Sequence, residues 1–300
     1  MGPDVSKPTV SFEFFPPRSE KARTKLDGAM RDLVAFAPRF VTVTYGAGGT
    51  TSAGTLDTVI HLSKTYALAT ASHLTFVATP IWDVTTYARA LQDNGISRVV
   101  ALRGDPPKGR TRDLYGGAGF FRSTPAFITA IRQIGDFEIS VAAYPEKHPD
   151  APSLDADIDM LALKCESGAS RAITQFFFDN EVYYRFRDKV ARRGIMVPIV
   201  PGILPILNFE KMLGFAKMCG ARVPTSLHAR FDGLASAADR RRAGEEVLCG
   251  QLDDLAANGV TEFHIFTLNE AGLTARACRH LGLSDGGDRK PELGRGPVAA

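Results

Sequence analysis

The sequence predicts a closed (β/α)8 barrel, on three observations. Short runs rich in β-branched and aromatic residues alternate with longer helix-like stretches eight times along 300 residues. No run of another kind interrupts the alternation, and the unusual polar residues fall repeatedly at the C-terminal ends of the strand-like runs. An open doubly wound sheet uses the same alternation, but eight uninterrupted units favour closure.

Residues 1–8 read as a loose tail, and the barrel is assigned to 9–283 as a single domain. The strand candidates are 9–15 (TVSFEFF), 39–45 (RFVTVTY), 72–77 (SHLTFV), 97–102 (SRVVAL), 137–143 (FEISVAA), 171–177 (RAITQFF), 197–203 (VPIVPGI) and 261–267 (TEFHIFT). Helical patterns lie near 19–36, 52–68, 83–94, 123–134, 155–167, 180–193, 208–219 and 239–258, with a short one at 269–281. Asp179 or Asn180 and Asn208 stand at helix starts, and Gly95, Gly168, Gly194 and Gly259 follow four helices where a left-handed cap residue is expected. Residues 104–122 form a long loop rich in Gly, Pro and Arg, the kind that is functional or mobile. From Ser284 onward apolar residues are nearly absent, so 284–300 is expected to be a disordered tail.

Composition narrows the function classes. The chain is 44% hydrophobic and 23% charged, ordinary for a protein with a sizeable core, and a formal charge of +3 gives no case for nucleic acid. Arg240, Arg241 and Arg242 form a short cluster read as a solvated helix face. No run is long enough for a membrane span and no signal-peptide layout is present, so a cytoplasmic location is expected. Cys165, Cys219, Cys249 and Cys278 lie far apart without metal-ligand spacing, which predicts four reduced thiols and no zinc or iron–sulfur site.

The chemistry-bearing residues gather on one rim. Glu13 sits between aromatic residues on a segment that reads as buried, so its carboxyl is expected to lose solvation and rise in pKa until it can deliver a proton. The competing readings are a salt bridge to a core arginine or an exposed edge strand. His73 and Thr75 lie on the third strand; Thr44, Tyr45 and Gly46–Gly49 end the second. Arg103, Gly104 and Asp105 end the fourth, where the two charges alone would read as a pair across the glycine. Tyr144, Glu146 and His148 follow the fifth, Gln175 ends the sixth, and Thr267 and Asn269 follow the eighth. Gly46-x-Gly48-x-x-Thr51 lacks the third glycine of a dinucleotide fingerprint. With no serine-nucleophile elbow and no metal-spaced set, these residues suit proton transfer and binding of a large ligand with polar and aromatic parts.

Several segments are recognisable together. Ser11–Pro17 (SFEFFPP), Val43–Ala47 (VTYGA), Ala101–Asp105 (ALRGD), Ala142–Pro149 (AAYPEKHP) and Ala172–Asp179 (AITQFFFD) resemble 5,10-methylenetetrahydrofolate reductase in its short bacterial form. Pro201–Pro205, Phe231–Leu234 and Phe266–Asn269 do the same, in order from about residue 9 to 283. The resemblance implies bound FAD, with NADH or NADPH and a folate using one site in turn, and a homo-oligomer; charge and run length already argue against a nucleic-acid or membrane partner. By resemblance Glu13 is the acid that protonates N10 of the folate, and Asp105 stabilises the resulting iminium beside the flavin. It also implies FAD contacts from Thr44, Tyr45, Ala47, His73, Arg103, Gly104, Asp105, Tyr144, His148, Ala151, Asp157 and Lys164. The folate or nicotinamide falls to Asp105, Gln175, Lys211, Phe215, Leu268 and Glu270. Met160, Leu163 and the 50–54 loop stand where relatives carry polar contacts to FAD, and Lys211 with Glu270 reads as a compensating exchange near the folate tail. The other readings are an acid–base barrel lyase or aldolase using Glu13 and Asp105, and a non-catalytic folate- or flavin-binding relative.

Overall fold

The structure is a computed structural model, and it describes residues 7–45, 52–105 and 117–285. Parallel strands form one sheet ordered β7-β6-β5-β4-β3-β2-β1-β9-β8. They are β1 (Thr9–Phe14), β2 (Val41–Val43), β3 (Thr70–Thr75), β4 (Arg98–Leu102), β5 (Glu138–Ala143), β6 (Arg171–Thr174), β7 (Ile199–Val200), β8 (Gly202–Ile203) and β9 (Glu262–Phe266). The two outer members of that order, β7 and β8, are halves of one extended segment separated by Pro201, so the sheet closes into a barrel.

The seventh strand was expected whole over 197–203 and is broken instead. Proline has no N–H to donate to a ladder, so the pairing lapses at Pro201. Its carbonyl still accepts from the His264 N–H at 3.0 Å. Gly202 is required beside it: a Cβ there would lie 2.1 Å from the Thr174 carbonyl oxygen and 2.7 Å from the Phe266 ring.

The helices are α1 (Glu20–Val34), α2 (Ser52–Tyr66), α3 (Ile81–Asp93), α4 (Thr124–Ile134), α5 (Leu154–Glu166), α6 (Asn180–Arg192), α7 (Phe209–Cys219), α8 (Thr225–Phe231), α9 (Ala237–Ala257) and α10 (Gly272–His280). Side chains of Ser19, Ser123, Ser153, Asp179, Asn208 and Ser236 accept first-turn N–H groups, as N-caps do. The four glycines expected after helices all have positive φ, from 74° at Gly95 to 118° at Gly168. Helix α8 was not anticipated. It packs in a small separate core, where the Phe231 ring stacks on Phe209 at 4.3 Å.

Strand alternation sorts the side chains. Val10, Phe12 and Phe14 of β1 face the helices, fully or almost fully buried, as do Phe263 and Ile265 of β9. Burying a large aromatic in this way contributes about 2–3 kcal/mol. The intervening residues Ser11, Glu13, His264 and Phe266 therefore point into the barrel. At its floor Arg171, 4% exposed, pairs with Glu262 and lies 3.8 Å from Glu138. Arg98 pairs with Glu138 at 2.6 Å and Arg39 with Glu262 at 3.0 Å. The Arg98 and Arg171 guanidinium groups stand 5.4 and 5.6 Å from the centre of the Phe40 ring.

The four cysteines are free thiols, Cys278 buried and the others half-buried. Among the described residues no helix is long and apolar enough to cross a membrane. Arg240, Arg241 and Arg242 are exposed on α9.

Candidate active site

Two cavities meet at the C-terminal mouth of the barrel. The larger, about 520 Å³, runs over the ends of β4 and β5 and the N-termini of α4 and α5. It is lined by Arg103, Gly104, Asp105, Tyr144, His148, Ala151, Asp157 and Lys164, all predicted from the sequence, together with Met160, Arg122 and Asp150. The smaller, about 310 Å³, lies over the barrel axis and is mostly apolar, with Phe15, Ile173, Phe176, Leu204, Phe215, Phe266 and Leu268 on its walls. Glu13, His73 and Gln175 supply its polar groups, and Leu102, Ala142 and Tyr144 belong to both cavities.

Glu13 does not behave as its aromatic neighbours predict. Burial pushes its pKa up, but His73 and His264 outweigh that and bring it from 4.5 down to about 2. The His264 Nε2 lies 3.5 Å from Oε2 and the Thr42 hydroxyl donates to the same oxygen at 3.4 Å. The His73 Nε2 stands 3.1 Å from it, at ion-pair distance but too poorly aligned for a hydrogen bond. The expected rise toward neutrality is therefore corrected, as is the competing bridge to a core arginine. The missing information was spatial: β1 pairs with β9 so that Ser11 sits beside His264, 253 residues away in the chain. Sequence reading passed over His264 altogether, although its place among inward positions of Glu262–Phe266 would have marked it. It is fully buried, and its Nδ1 lies 2.8 Å from the Ser11 hydroxyl. With the Ser11 proton directed to the Phe263 carbonyl at 3.4 Å, Nδ1 is the donor.

The backbone of β1 is fixed from the same side. The Thr267 hydroxyl donates to the Glu13 carbonyl at 2.6 Å, and Asn269 exchanges two hydrogen bonds with the Phe15 backbone at 2.8 and 3.0 Å. Leu268 and Asn269 adopt φ of 53° and 57°, an uncommon region for side-chain-bearing residues. These two bonds hold Asn269 there, while Leu268 faces the smaller cavity.

In the larger cavity Arg103 pairs with Asp150 at 2.8 Å, so the reading of a pair with Asp105 across Gly104 is not what forms. Gly104 has φ +81°, and a Cβ there would lie 2.8 Å from that of Thr75. The Lys164 ammonium donates to the Ala142 carbonyl at 3.0 Å; burial pulls its pKa down while Asp157 opposes. Burial lifts the Tyr144 hydroxyl to about 12, aided by Asp157, so it stays a neutral donor. Burial and the Arg103 charge lower the pKa of His148, and its Nδ1 accepts from the Asp150 N–H at 3.0 Å. Neutral His148 thus carries its proton on Nε2.

The remaining predicted residues divide. Gln175 lines the smaller cavity; its Oε1 accepts from the Phe176 N–H at 3.0 Å, leaving the amide NH2 without a partner among the described residues. Thr44 and Tyr45 line neither cavity: the Thr44 carbonyl accepts from Thr55 at 3.1 Å, and Tyr45 packs edge-on against Tyr87. Lys211 and Glu270 also lie outside both linings. Glu270 pairs with Lys25 of α1 at 2.5 Å, so its charge partner is not the one expected from a compensating exchange with Lys211. Met160 reaches the larger cavity and Leu163 does not. Ala47 and the Gly46–Gly49 turn, residues 50–51 and most of the 104–122 loop lie outside the described residues, as do 1–6 and 286–300.

Comparison with known proteins decides the family. The model for "Methylenetetrahydrofolate reductase" matches residues 3–282. The chain belongs to the methylenetetrahydrofolate reductase family. Among its relatives, the 5,10-methylenetetrahydrofolate reductase of Escherichia coli is 40% identical over 279 residues, 92% of each chain. Methylenetetrahydrofolate reductase (NADH) 1 of Arabidopsis thaliana is 33% identical over 286 residues, which are 92% of this chain and 48% of the plant protein. Among solved structures, a Clostridium thermocellum protein that binds two copies of 5-methyl-5,6,7,8-tetrahydrofolic acid aligns with a TM-score of 0.60. It covers 92% of this chain and 94% of that one at 14% identity, a likeness of fold. Membership of the reductase family makes this chain an oxidoreductase.

Proposed function

We propose that this chain reduces 5,10-methylenetetrahydrofolate to 5-methyltetrahydrofolate with electrons from NADH or NADPH carried by FAD. The nucleotide and the folate would occupy the same apolar pocket in turn. The carrying observation is the junction of the two cavities: a polar groove of about 520 Å³ opens along Leu102, Ala142 and Tyr144 into an apolar pocket of about 310 Å³ with Glu13 on its wall.

The groove's donors fit a flavin dinucleotide. Arg103 and Lys164 bring positive charge for a diphosphate, the Tyr144 hydroxyl and the His148 Nε2–H donate neutrally, and Asp157 and Asp105 balance the cations. Bound there, FAD would supply hydride transfer in both halves of the reaction. Phe215 and Leu268 flank the smaller pocket, where a flat pterin or nicotinamide would lie, and the unpartnered Gln175 amide would bond to its polar edge. Asp105 lines the groove and would place negative charge near a developing cation.

Glu13 relays the proton and is not its store. Its carboxyl is ionised beside two imidazoles in the free site, so the proton for N10 is not stored on it. A folate covering the pocket excludes water, which raises the cost of charge on Glu13 and favours passage of the proton through it. Anaerobic reduction of the purified yellow protein by NADH or NADPH, then reoxidation by methylenetetrahydrofolate, tests the reading. A colourless protein that turns over a carbon–carbon bond would favour the lyase or aldolase alternative, and one that binds flavin without reoxidation the non-catalytic one.

A further inference from the structure

One loop in the groove wall is organised around a lysine that touches neither cavity. Residues 144–151, within the link from β5 to α5, carry Tyr144, His148 and Asp150 to the larger cavity. Between them Lys147 adopts φ +87°, a region disfavoured for a residue with a side chain. Its ammonium donates to the carbonyl oxygens of His148 at 3.1 Å, Pro149 at 3.3 Å and Ala151 at 2.6 Å. Three carbonyl dipoles thus point at one place.

Four of the loop's backbone N–H groups have partners, and one of them shares the His148 oxygen with the ammonium. Lys147 N–H donates to the Tyr144 carbonyl and Ala151 N–H to the His148 carbonyl. His148 N–H donates to Asp157 at 2.8 Å, and Asp150 N–H to the His148 imidazole. The Pro149 and Ala151 carbonyl oxygens accept no backbone N–H among the described residues, and without a cation the three converging oxygens would repel. An ammonium with three rotatable donors matches such a ring; a planar guanidinium does not.

We infer that Lys147 is a positioning residue whose ammonium acts as a built-in monovalent cation. It holds the 144–151 loop in the conformation that presents the His148 Nε2–H and the Arg103–Asp150 pair to the groove. Deleting the ammonium while keeping the loop leaves an oxygen ring of the kind that replaces the hydration shell of K+. The inference rests on FAD being the occupant of the groove.

The test is Lys147→Met, with FAD affinity followed by quenching of flavin fluorescence and thermal unfolding followed without flavin. In choline chloride the variant is expected to bind FAD about tenfold more weakly, the scale of a lost charged hydrogen-bond set. Replacing choline with K+ or NH4+ at constant ionic strength is expected to restore both FAD affinity and Tm, while the wild type responds to neither cation. Unchanged affinity in Lys147→Met, a loss that K+ does not repair, or a loss that choline repairs equally overturns the inference. A wild-type protein whose FAD affinity rises with K+ overturns it too, and that measurement stands even if the variant fails to fold. A wild type that binds no FAD sinks the flavin reading instead, and cation rescue of Tm still judges the loop.

Discussion

At the barrel floor Arg171 is clasped by Glu262 and Glu138, and each of those carboxylates has a second arginine in Arg39 or Arg98. Toward the mouth, among the described residues, Glu13 faces two imidazoles and a hydroxyl. Both clusters are charges removed from water inside the same barrel, yet they differ in what can change. Arginine does not deprotonate in proteins, so the floor is locked in one charge state and closes the barrel. An imidazole, unlike a guanidinium, can both donate and accept a proton, so the mouth is built of groups suited to passing one. Phe40 joins the two: the floor arginines lie on its ring, which stacks on His264 at 6.2 Å and 25°.

Substitutions that exchange these properties sharpen the contrast. Glu13→Gln should cost about 10³-fold in folate reduction, the scale of a lost acid–base group, while flavin reduction by the nucleotide persists. Stopped-flow measurement of the two half-reactions separates them. Arg171→Leu should do the reverse, lowering stability by about 3–5 kcal/mol because two carboxylates lose their buried partner. Denaturant unfolding measures this, with kcat per folded molecule nearly unchanged.

His264→Asn should reduce folate turnover by about tenfold and move the acidic limb of its pH profile. A profile superimposable on the wild type would remove His264 from the proton path. Stability should respond to acid through the mouth as well. Because the folded pKa of Glu13, about 2, lies below 4.5, its stabilisation is complete above about pH 5 and fades as pH falls toward 2. Glu13→Gln should flatten that part of the acid-unfolding curve. The smallest effect belongs to the exposed Lys25–Glu270 pair, where Lys25→Ala should change stability by no more than about 1 kcal/mol.

The alternation of strands and helices was legible because β-branched runs and helix caps are local signals. Eight of the predicted groove residues line one cavity for a related reason: strand ends lie on one face of a parallel barrel whatever their separation in sequence. What the sequence hid was lateral. The sign of the Glu13 shift depends on His73 from β3 and His264 from β9, and only the register of the closed sheet brings them to one carboxylate. The Lys25–Glu270 pair was hidden for the same reason, since Lys25 projects from the first helix. Helix α8 escaped because seven residues opened by Pro224, without a side-chain cap, give no periodic pattern long enough to read.

The break at Pro201 reaches beyond topology. Elsewhere the hoops of the barrel are stitched by runs of paired residues, but each half of the seventh segment contributes only two to its neighbour. A ring fails at its thinnest weld. Amide protons flanking this seam should therefore be among the first of the sheet to exchange with solvent, and the cylinder should unzip there before its β1–β9 wall gives way.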